Sequence, residues 1–421
     1  MKIAVIGSGG REHAILWRLS RDNDRRELYA LPGNGGTHKL ATSVSVNTAD
    51  TRQLIITVRN LSPDLVVVGP ENPLADGIVD HLQEFRIPCF GPMKAAARLE
   101  SSKAFAKQFM QECDIPTADF EIFTDFENLR KFMDGRDQQE KWVVKADGLA
   151  AGKGAFVCSS HEEVLRYSHA LLIDGLLGSA GKTIVLEKRL EGREVSALFW
   201  CDGERFLPFP PAQDYKRALD NDQGANTGGM GSYCPAPHLT AELQDDVSQR
   251  IVAPLVRRLA ELGTPYTGVL YVGLMLTASG PQVIEFNCRF GDPETQVILP
   301  VWGGNFAETM LACSEGGLSQ VQSTVPPLTT AAVCVVLAAE GYPDPYKKEI
   351  PLHDIADTEH SVTYHAGTIR DGARLLSSGG RVLNAVGFGS DLSQARSRAY
   401  ERAEQLKVAG LRYRSDIAVK T

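Results

Sequence analysis

The sequence predicts a multidomain protein of mixed α/β and α+β architecture that opens on a doubly wound parallel sheet. Three observations predict it. The chain has 421 residues, which at about 150 per domain is roughly three domains. Its first hundred residues alternate short apolar runs with helical patterns, the rhythm of βαβ units. After residue 100 the pattern changes to hairpins and glycine-rich loops, then to a strand-rich tail closed by one helix.

The elements follow in order. IAVIG (Ile3 to Gly7) reads as a buried strand, and Arg11 to Leu19 as a helix with Ile15, Leu16 and Leu19 at helical spacing. LYALP, DLVVVG and IPCFG continue the strands, with ADTRQLIITVRNL helical between. SSKAFAKQFMQECDI is an N-capped helix with Phe105, Phe109 and Met110 on one side. WVVKADGLAAGKGAFVC reads strand, glycine loop, strand. SALFWCDGERFLPF carries the DG turn of a hairpin. Ala212 to Pro237 is predicted as a long loop and Thr240 to Leu262 as a helix, before a second hairpin, YVGLMLTASGPQVIEFN. Beyond Pro326, AAVCVVLAA, VTYHAGT and RVLNAVGFG read as strands, and SDLSQARSRAYERAEQL as an N-capped amphipathic helix.

Composition excludes several classes. With 43% hydrophobic and 23% charged residues the chain is globular rather than disordered. A net charge of −8 without a basic cluster argues against a nucleic-acid partner. The longest apolar run, Ala331 to Ala339, falls far short of the ~20 residues of a membrane helix, and MKIAVIG lacks a secretory h-region. A cytoplasmic protein without membrane contact is expected. Eight cysteines with no CxxC pair predict buried thiols in a reducing compartment.

Glycine is in surplus, 39 residues against the usual ~7%. GSGGREH (Gly7 to His13) joins a strand to a helix, whose N-terminus suits an anion. Glu12 stands at the third glycine position of the dinucleotide fingerprint, which disfavours a nicotinamide cofactor. The turn then serves either a phosphate, with Arg11 as counter-charge, or tight geometry alone. PGNGG and GPEN leave the same sheet edge, so Asn34 and Glu71 are predicted neighbours of Arg11. KADGLAAGKG (Lys145 to Gly154) departs from a Walker A motif and reads as a flap between antiparallel strands, covering phosphates with amides and Lys153. NTGGMG follows a charged run, Asp214, Lys216 and Arg217, that is placed to face a substrate. In VIEFNCRFGDPETQ, strand alternation puts Glu285, Asn287 and Arg289 on one face, with Ile284, Phe286 and Cys288 as core. A carboxylate and an amide oxygen so spaced suit a hard cation such as Mg²⁺, and Arg289 an anion.

Taken together, GSGGREHA, PGN, VGPENPL, SKAF, VVKADGLAAGKG, QDYKRA, NTGGMGSYCPAP and RFGDPETQ resemble, in order and end to end, the phosphoribosylamine–glycine ligases. These are ATP-grasp enzymes of purine biosynthesis. The resemblance implies an N-terminal domain at 1–100, an ATP-grasp core at 101–121 and 188–325, a lid at 122–187 and a C-terminal domain at 326–421. It implies ligation of glycine to 5-phosphoribosylamine with ATP, through a glycyl phosphate, by a monomer using Mg²⁺ or Mn²⁺. By motif, Lys103, Lys145, Gly152, Lys153 and Gly154 would meet the ATP phosphates. Glu187 and Leu190 would form the adenine hinge, Glu194 would take the ribose, and Arg217 and Asn226 would line the nucleotide. Glu285 and Asn287 would hold the metal. Gly9, Gly10, Arg11, Asn34 and Glu71 would face phosphoribosylamine. Asp214, Arg289, Asp292 and Pro293 would surround glycine and the acceptor, with Lys145, Arg289 and Asp214 catalytic. Tyr215 stands where the family often has histidine, and Gly273 where many ATP-grasp enzymes place a further metal-binding acid.

Overall fold

The computed structural model describes residues 1–22, 26–150, 154–321 and 326–419. The N-terminal sheet has five parallel strands in the order Thr42–Ser43, Glu27–Pro32, Lys2–Gly7, Leu65–Val68 and Cys89–Phe90. The chain winds outward to both sides of Lys2–Gly7, as the alternating pattern predicts. Ile3, Val5, Leu65 and Val67 are fully buried because helices cover both faces. The loops that follow Gly7, Pro32 and Val68 therefore leave one edge together.

Two antiparallel sheets follow. Phe120–Phe123, Ile184–Lys188, Trp142–Ala146 and Ala155–Cys158 form a small sheet backed by helices Phe126–Asp134 and His161–Leu172. It has its own core around Leu129, Met133, Trp142, Val144 and Leu186. The second sheet runs Phe206–Pro208, Arg193–Asp202, Thr267–Thr277 and Gly280–Asn287.

The C-terminal sheet differs from the sequence expectation. Its six strands are Gln213–Asp214, Gly231–Cys234, Ala331–Ala339, Arg381–Gly389, Ser361–His365 and Leu411–Arg412. The first two come from Ala212 to Pro237, the segment predicted as a loop, which also holds the ribbon Arg217–Leu219 with Gln223–Asn226. These strands are too short to show a period, and Gly231–Cys234 pairs with Ala331–Ala339, about a hundred positions away. The sheet thus reaches back into the middle of the chain, and one hydrophobic core runs from Phe109 and Val195 to Leu383 and Ala403. Helix Leu392–Leu406 packs so close to this sheet that a Cβ at Gly387 would collide with the Ala395 carbonyl.

Two local departures have clear causes. The predicted helix over 240–262 is Ala241–Val247 and Ala253–Glu261 with a π-turn, Ser248–Val252, between them. Pro254 lacks an N–H, so the helical hydrogen-bond register must shift ahead of it. In Gly280–Asn287, the register slips against Thr267–Thr277, so that Leu274 faces Val283 while Gly273 faces Glu285. Ile284 is the extra residue, a β-bulge. It is half-buried rather than core, which corrects the strict alternation read from the sequence. The eight thiols are free, and all but Cys113 are buried.

Candidate active site

The N-terminal glycine turn is filled by its own helix. Glu12 accepts the Gly9 N–H at 2.6 Å and the Arg11 Nε–H at 2.5 Å. A Cβ at Gly7 or Gly69 would collide with the Glu12 side chain, so both glycines make room for it. Arg11 is 7% exposed and also donates to the Phe290 carbonyl at 3.1 Å. It is a neutralised, buried cation here, not the free counter-charge predicted. Gly10 is buried, and a Cβ there would strike Asn384 and Gln296, so its small size serves packing. Asn34 joins two loops: its amide donates to Ser8, Gly9 and His365 carbonyls, and its oxygen accepts from Gly36 and Thr37. Of this group Gly9, Asn34 and Glu71 are half-buried, and Glu71 heads the helix Glu71–Asp76.

The flap strand brings lysines together. Lys145, on Trp142–Ala146, is buried and lies 3.0 Å from Glu187 Oε1, while its Nζ donates to the Ile284 carbonyl at 2.9 Å. The bulge presents that carbonyl. Lys107 approaches the other Glu187 oxygen at 3.2 Å and donates to Thr117 at 2.6 Å. Burial pulls the Lys107 ammonium down to about 8, against the attraction of Glu187. The Glu187 side chain is thus committed to two lysines; Leu190, just beyond, is half-buried. Lys103 begins the helix Lys103–Glu112, capped by Ser102, and Asp147 accepts from Ser102 and the Ala104 N–H. Burial lowers Lys103, and Glu285 partly restores it. Gly154 is buried and its carbonyl receives the Ala146 N–H at 2.8 Å. Gly152 and Lys153 lie outside the described residues.

Glu285, Asn287 and Arg289 share one face, as predicted. Burial raises the Glu285 carboxyl, but Lys216, Lys145 and Lys103 outweigh it and leave the group below its usual range. Lys216 stands 3.9 Å from Glu285 and 3.1 Å from Glu194. Asn287 Oδ1 receives one long bond, 3.4 Å, from Arg289. Two hard oxygens with open coordination fit a Mg²⁺ or Mn²⁺ ion that keeps water and phosphate as its other ligands. Among the described residues no group of three His, Cys, Asp or Glu forms a metal cluster. Gly273 sits directly across from Glu285 and brings no further ligand.

Arg289 lies between two carboxylates, Glu100 at 3.0 Å and Glu71 at 3.5 Å. Glu100 also accepts the Cys288 N–H at 2.7 Å. Burial raises Glu100 despite Arg289, whereas at Glu71 Arg289 and Arg11 overcome burial and lower the carboxyl. Asp214 is pushed up to about 8 by burial and by Glu294, Glu194 and Glu285, against Lys216. Arg217 and Asn226 face each other across the ribbon, with Arg217 donating to the Gly224 carbonyl. Asp292 accepts from Gln296 at 2.8 Å and pairs with Arg381 at 3.2 Å, and Pro293 packs on Gly229. Tyr215 turns from the site, its hydroxyl accepting the Ala418 N–H at 2.9 Å.

Family models for phosphoribosylglycinamide synthetase match most of the chain: the N domain over residues 1–100, the ATP-grasp (A) domain over 101–295 and the C domain over 332–420. A phosphoribosylamine–glycine ligase from Vibrio vulnificus (strain YJ016) is 43% identical, covering 100% of this chain and 98% of the relative. The chain belongs to the phosphoribosylamine–glycine ligase family. A second member, from Caldanaerobacter subterraneus subsp. tengcongensis, is 40% identical over 99% of both chains. The crystal structure of the Thermotoga maritima ligase superposes with a TM-score of 0.85 at 35% identity, covering 99% of this chain and 100% of that one. The biotin carboxylase domain of Hydrogenobacter thermophilus 2-oxoglutarate carboxylase, crystallised with MgADP, ADP and bicarbonate, shares the fold at 16% identity and a TM-score of 0.73.

Four charged residues of the site were not assigned from the sequence. Glu100 sits on the helix Lys94–Ser101, which the sequence reading did not assign, Lys107 on a helix that reads as an ordinary N-capped packing helix, and Arg381 on a strand of the tail. Their partners lie 189, 80 and 89 positions away by residue number, beyond the reach of local pattern. Lys216 was visible as charge beside NTGGMG, without its partners Glu194 and Glu285.

Proposed function

We propose that this chain ligates glycine to 5-phosphoribosylamine, giving glycinamide ribonucleotide, ADP and phosphate, as a step of purine biosynthesis. One observation carries the reading. The strand end at Glu285, Asn287 and Arg289 faces the flap lysines on one side and the Glu71, Asp292 and Gly9 loops on the other, so an activating group and an acceptor meet there.

The chemistry follows from the substrates. A glycine carboxylate acylates nothing directly, because oxide is a poor leaving group. Its oxygen attacks the terminal phosphorus of ATP, the bond to ADP breaks, and glycyl phosphate forms. The sugar amine then attacks the acyl carbon, a C–N bond forms, and phosphate leaves with the C–O electron pair. In its ionised form, Asp214 would receive the proton the amine sheds. Lys103 and Lys145 position the phosphates and balance their charge, and Arg289 orients a carboxylate or phosphate oxygen. A divalent ion held by Glu285 and Asn287 would supply charge neutralisation at the phosphates. Leu190, Glu194, Arg217 and Asn226 line the nucleotide side, with the flap at 152–154 as its cover. A monomer in the cytoplasm accords with this reading, and no helix of the described residues is long and apolar enough to cross a membrane.

Phosphate release from ATP tests the function. Release should require both glycine and phosphoribosylamine. Full release with a different amino acid, or undiminished release without the sugar amine, would overturn it.

A further inference from the structure

Arg381 opens the strand Arg381–Gly389 of the C-terminal sheet, yet its guanidinium reaches into the middle of the chain. One nitrogen donates to the carbonyls of Gly228 at 2.6 Å, Asp292 at 2.8 Å and Gly229 at 3.5 Å. Another pairs with the Asp292 carboxylate at 3.2 Å. Tyr342, from the same C-terminal region, accepts the Gly228 N–H at 3.2 Å and packs against Gly380. Two C-terminal side chains therefore hold both ends of one arrangement, the Thr227–Gly229 turn and the Asp292–Pro293 turn. These turns already touch, since Gly229, at φ +112°, lies against the Pro293 ring. Gly9 faces the Asp292 carboxylate from the N-terminal sheet, so all three loops meet here.

We propose that Arg381 and Tyr342 are positioning residues for the acceptor half of the reaction. They fix Asp292 and the Gly228–Gly229 backbone in the shape that receives the sugar amine, and leave the activation of glycine untouched. The inference rests on the ligase reading above. Its basis is which groups Arg381 contacts. All belong to the loops on the Gly9 side, whereas the Lys103 N–H donates to the Asp147 carbonyl and Lys145 pairs with Glu187, on the side of the small sheet. A planar guanidinium suits the task, because one rigid fork meets acceptors on two segments at once; an ammonium makes fewer such bonds in fixed directions.

The two half-reactions separate experimentally. Hydroxylamine nitrogen attacks the acyl carbon of glycyl phosphate, displacing phosphate and leaving glycine hydroxamate, with no sugar amine needed. In the full-length enzyme, Arg381→Gln should raise the KM for phosphoribosylamine at least ~10-fold while hydroxamate formation stays within about 2-fold of wild type. Arg381→Lys should fall between. Tyr342→Phe, an isosteric change that folds whatever becomes of the glutamine variant, should raise that KM about 3-fold. Parallel loss of hydroxamate formation and transfer would overturn the proposal, as would an unchanged phosphoribosylamine KM in Tyr342→Phe. A wild-type enzyme that forms no glycine-dependent hydroxamate without the sugar amine would also overturn the proposal, whereas phosphate release that needs no glycine would overturn the ligase reading itself.

Discussion

Two buried ion clusters flank the end of the Gly280–Asn287 strand, and they are built with opposite surplus. On the flap side, Lys145 and Lys107 share one carboxylate, Glu187. On the N-terminal side, one guanidinium, Arg289, is shared by two carboxylates, Glu100 and Glu71. The first cluster retains positive charge that a polyphosphate would neutralise. The second is internally over-compensated, so its arginine is held rigidly rather than left hungry for an anion. One side attracts a highly charged ligand, and the other orients a smaller one.

The largest effect tests what joins the clusters. Glu285→Gln combined with Asn287→Ala should leave a folded protein with turnover reduced at least ~100-fold, because both sides converge on that strand face. Near-normal turnover at saturating Mg²⁺ would remove the metal from the account.

Next, the clusters should differ in stability. Arg289→Met leaves Glu100 and Glu71 unpaired in partial or full burial and should cost about 3–5 kcal/mol in urea unfolding. Lys145→Met should cost less than half of that, because Glu187 keeps Lys107. Equal losses would show that the asymmetry in pairing has no energetic content. Arg11→Ala sharpens the same contrast. It should raise the KM for phosphoribosylamine and also destabilise by about 1–3 kcal/mol, since Glu12 and the Phe290 carbonyl lose a buried donor. A KM change confined to ATP would contradict the placement of the N-terminal turn.

A pH-dependent effect concerns two buried rings. His13 and His365 stack at 5.5 Å, where Asn34 ties the N-terminal loop to the C-terminal sheet. Burial lowers both rings, His365 to about 4; Lys39, His38 and Arg370 add to this and Asp354 opposes it at His365. The unfolded rings take protons near the ordinary 6.5, before the folded ones do. Stability from this pair is therefore complete above about pH 6.5 and is lost as pH falls toward 4, at up to about 1.4 kcal/mol per pH unit for each ring. His365→Asn should flatten the unfolding free energy between pH 6 and 4.5 relative to wild type. An unchanged slope would contradict a neutral buried ring.

Much of the architecture was legible because it is local. The βαβ series, both hairpins, and the strands Trp142–Ala146, Ala155–Cys158 and Gly280–Asn287 declare themselves through period and turn residues within ten or fifteen positions. What was not legible depends on distant pairing. Gln213–Asp214 and Gly231–Cys234 carry no period, and only their partners in the C-terminal sheet make them strands. The bulge at Ile284 reflects strand pairing, not the sequence of either strand alone. Arg11 and Glu187 were read as ligand-facing, because their type and motif point outward to chemistry. Each is instead matched by a charged partner, and for Glu187 both partners lie on other elements.

The division of labour between the two clusters is the central claim, and direct binding of MgATP tests it. Calorimetric titration should show Lys145→Met weakening MgATP at least ~10-fold, with Arg289→Lys within about 2-fold of wild type. Equal weakening by the two variants, or weakening by Arg289→Lys alone, would contradict it.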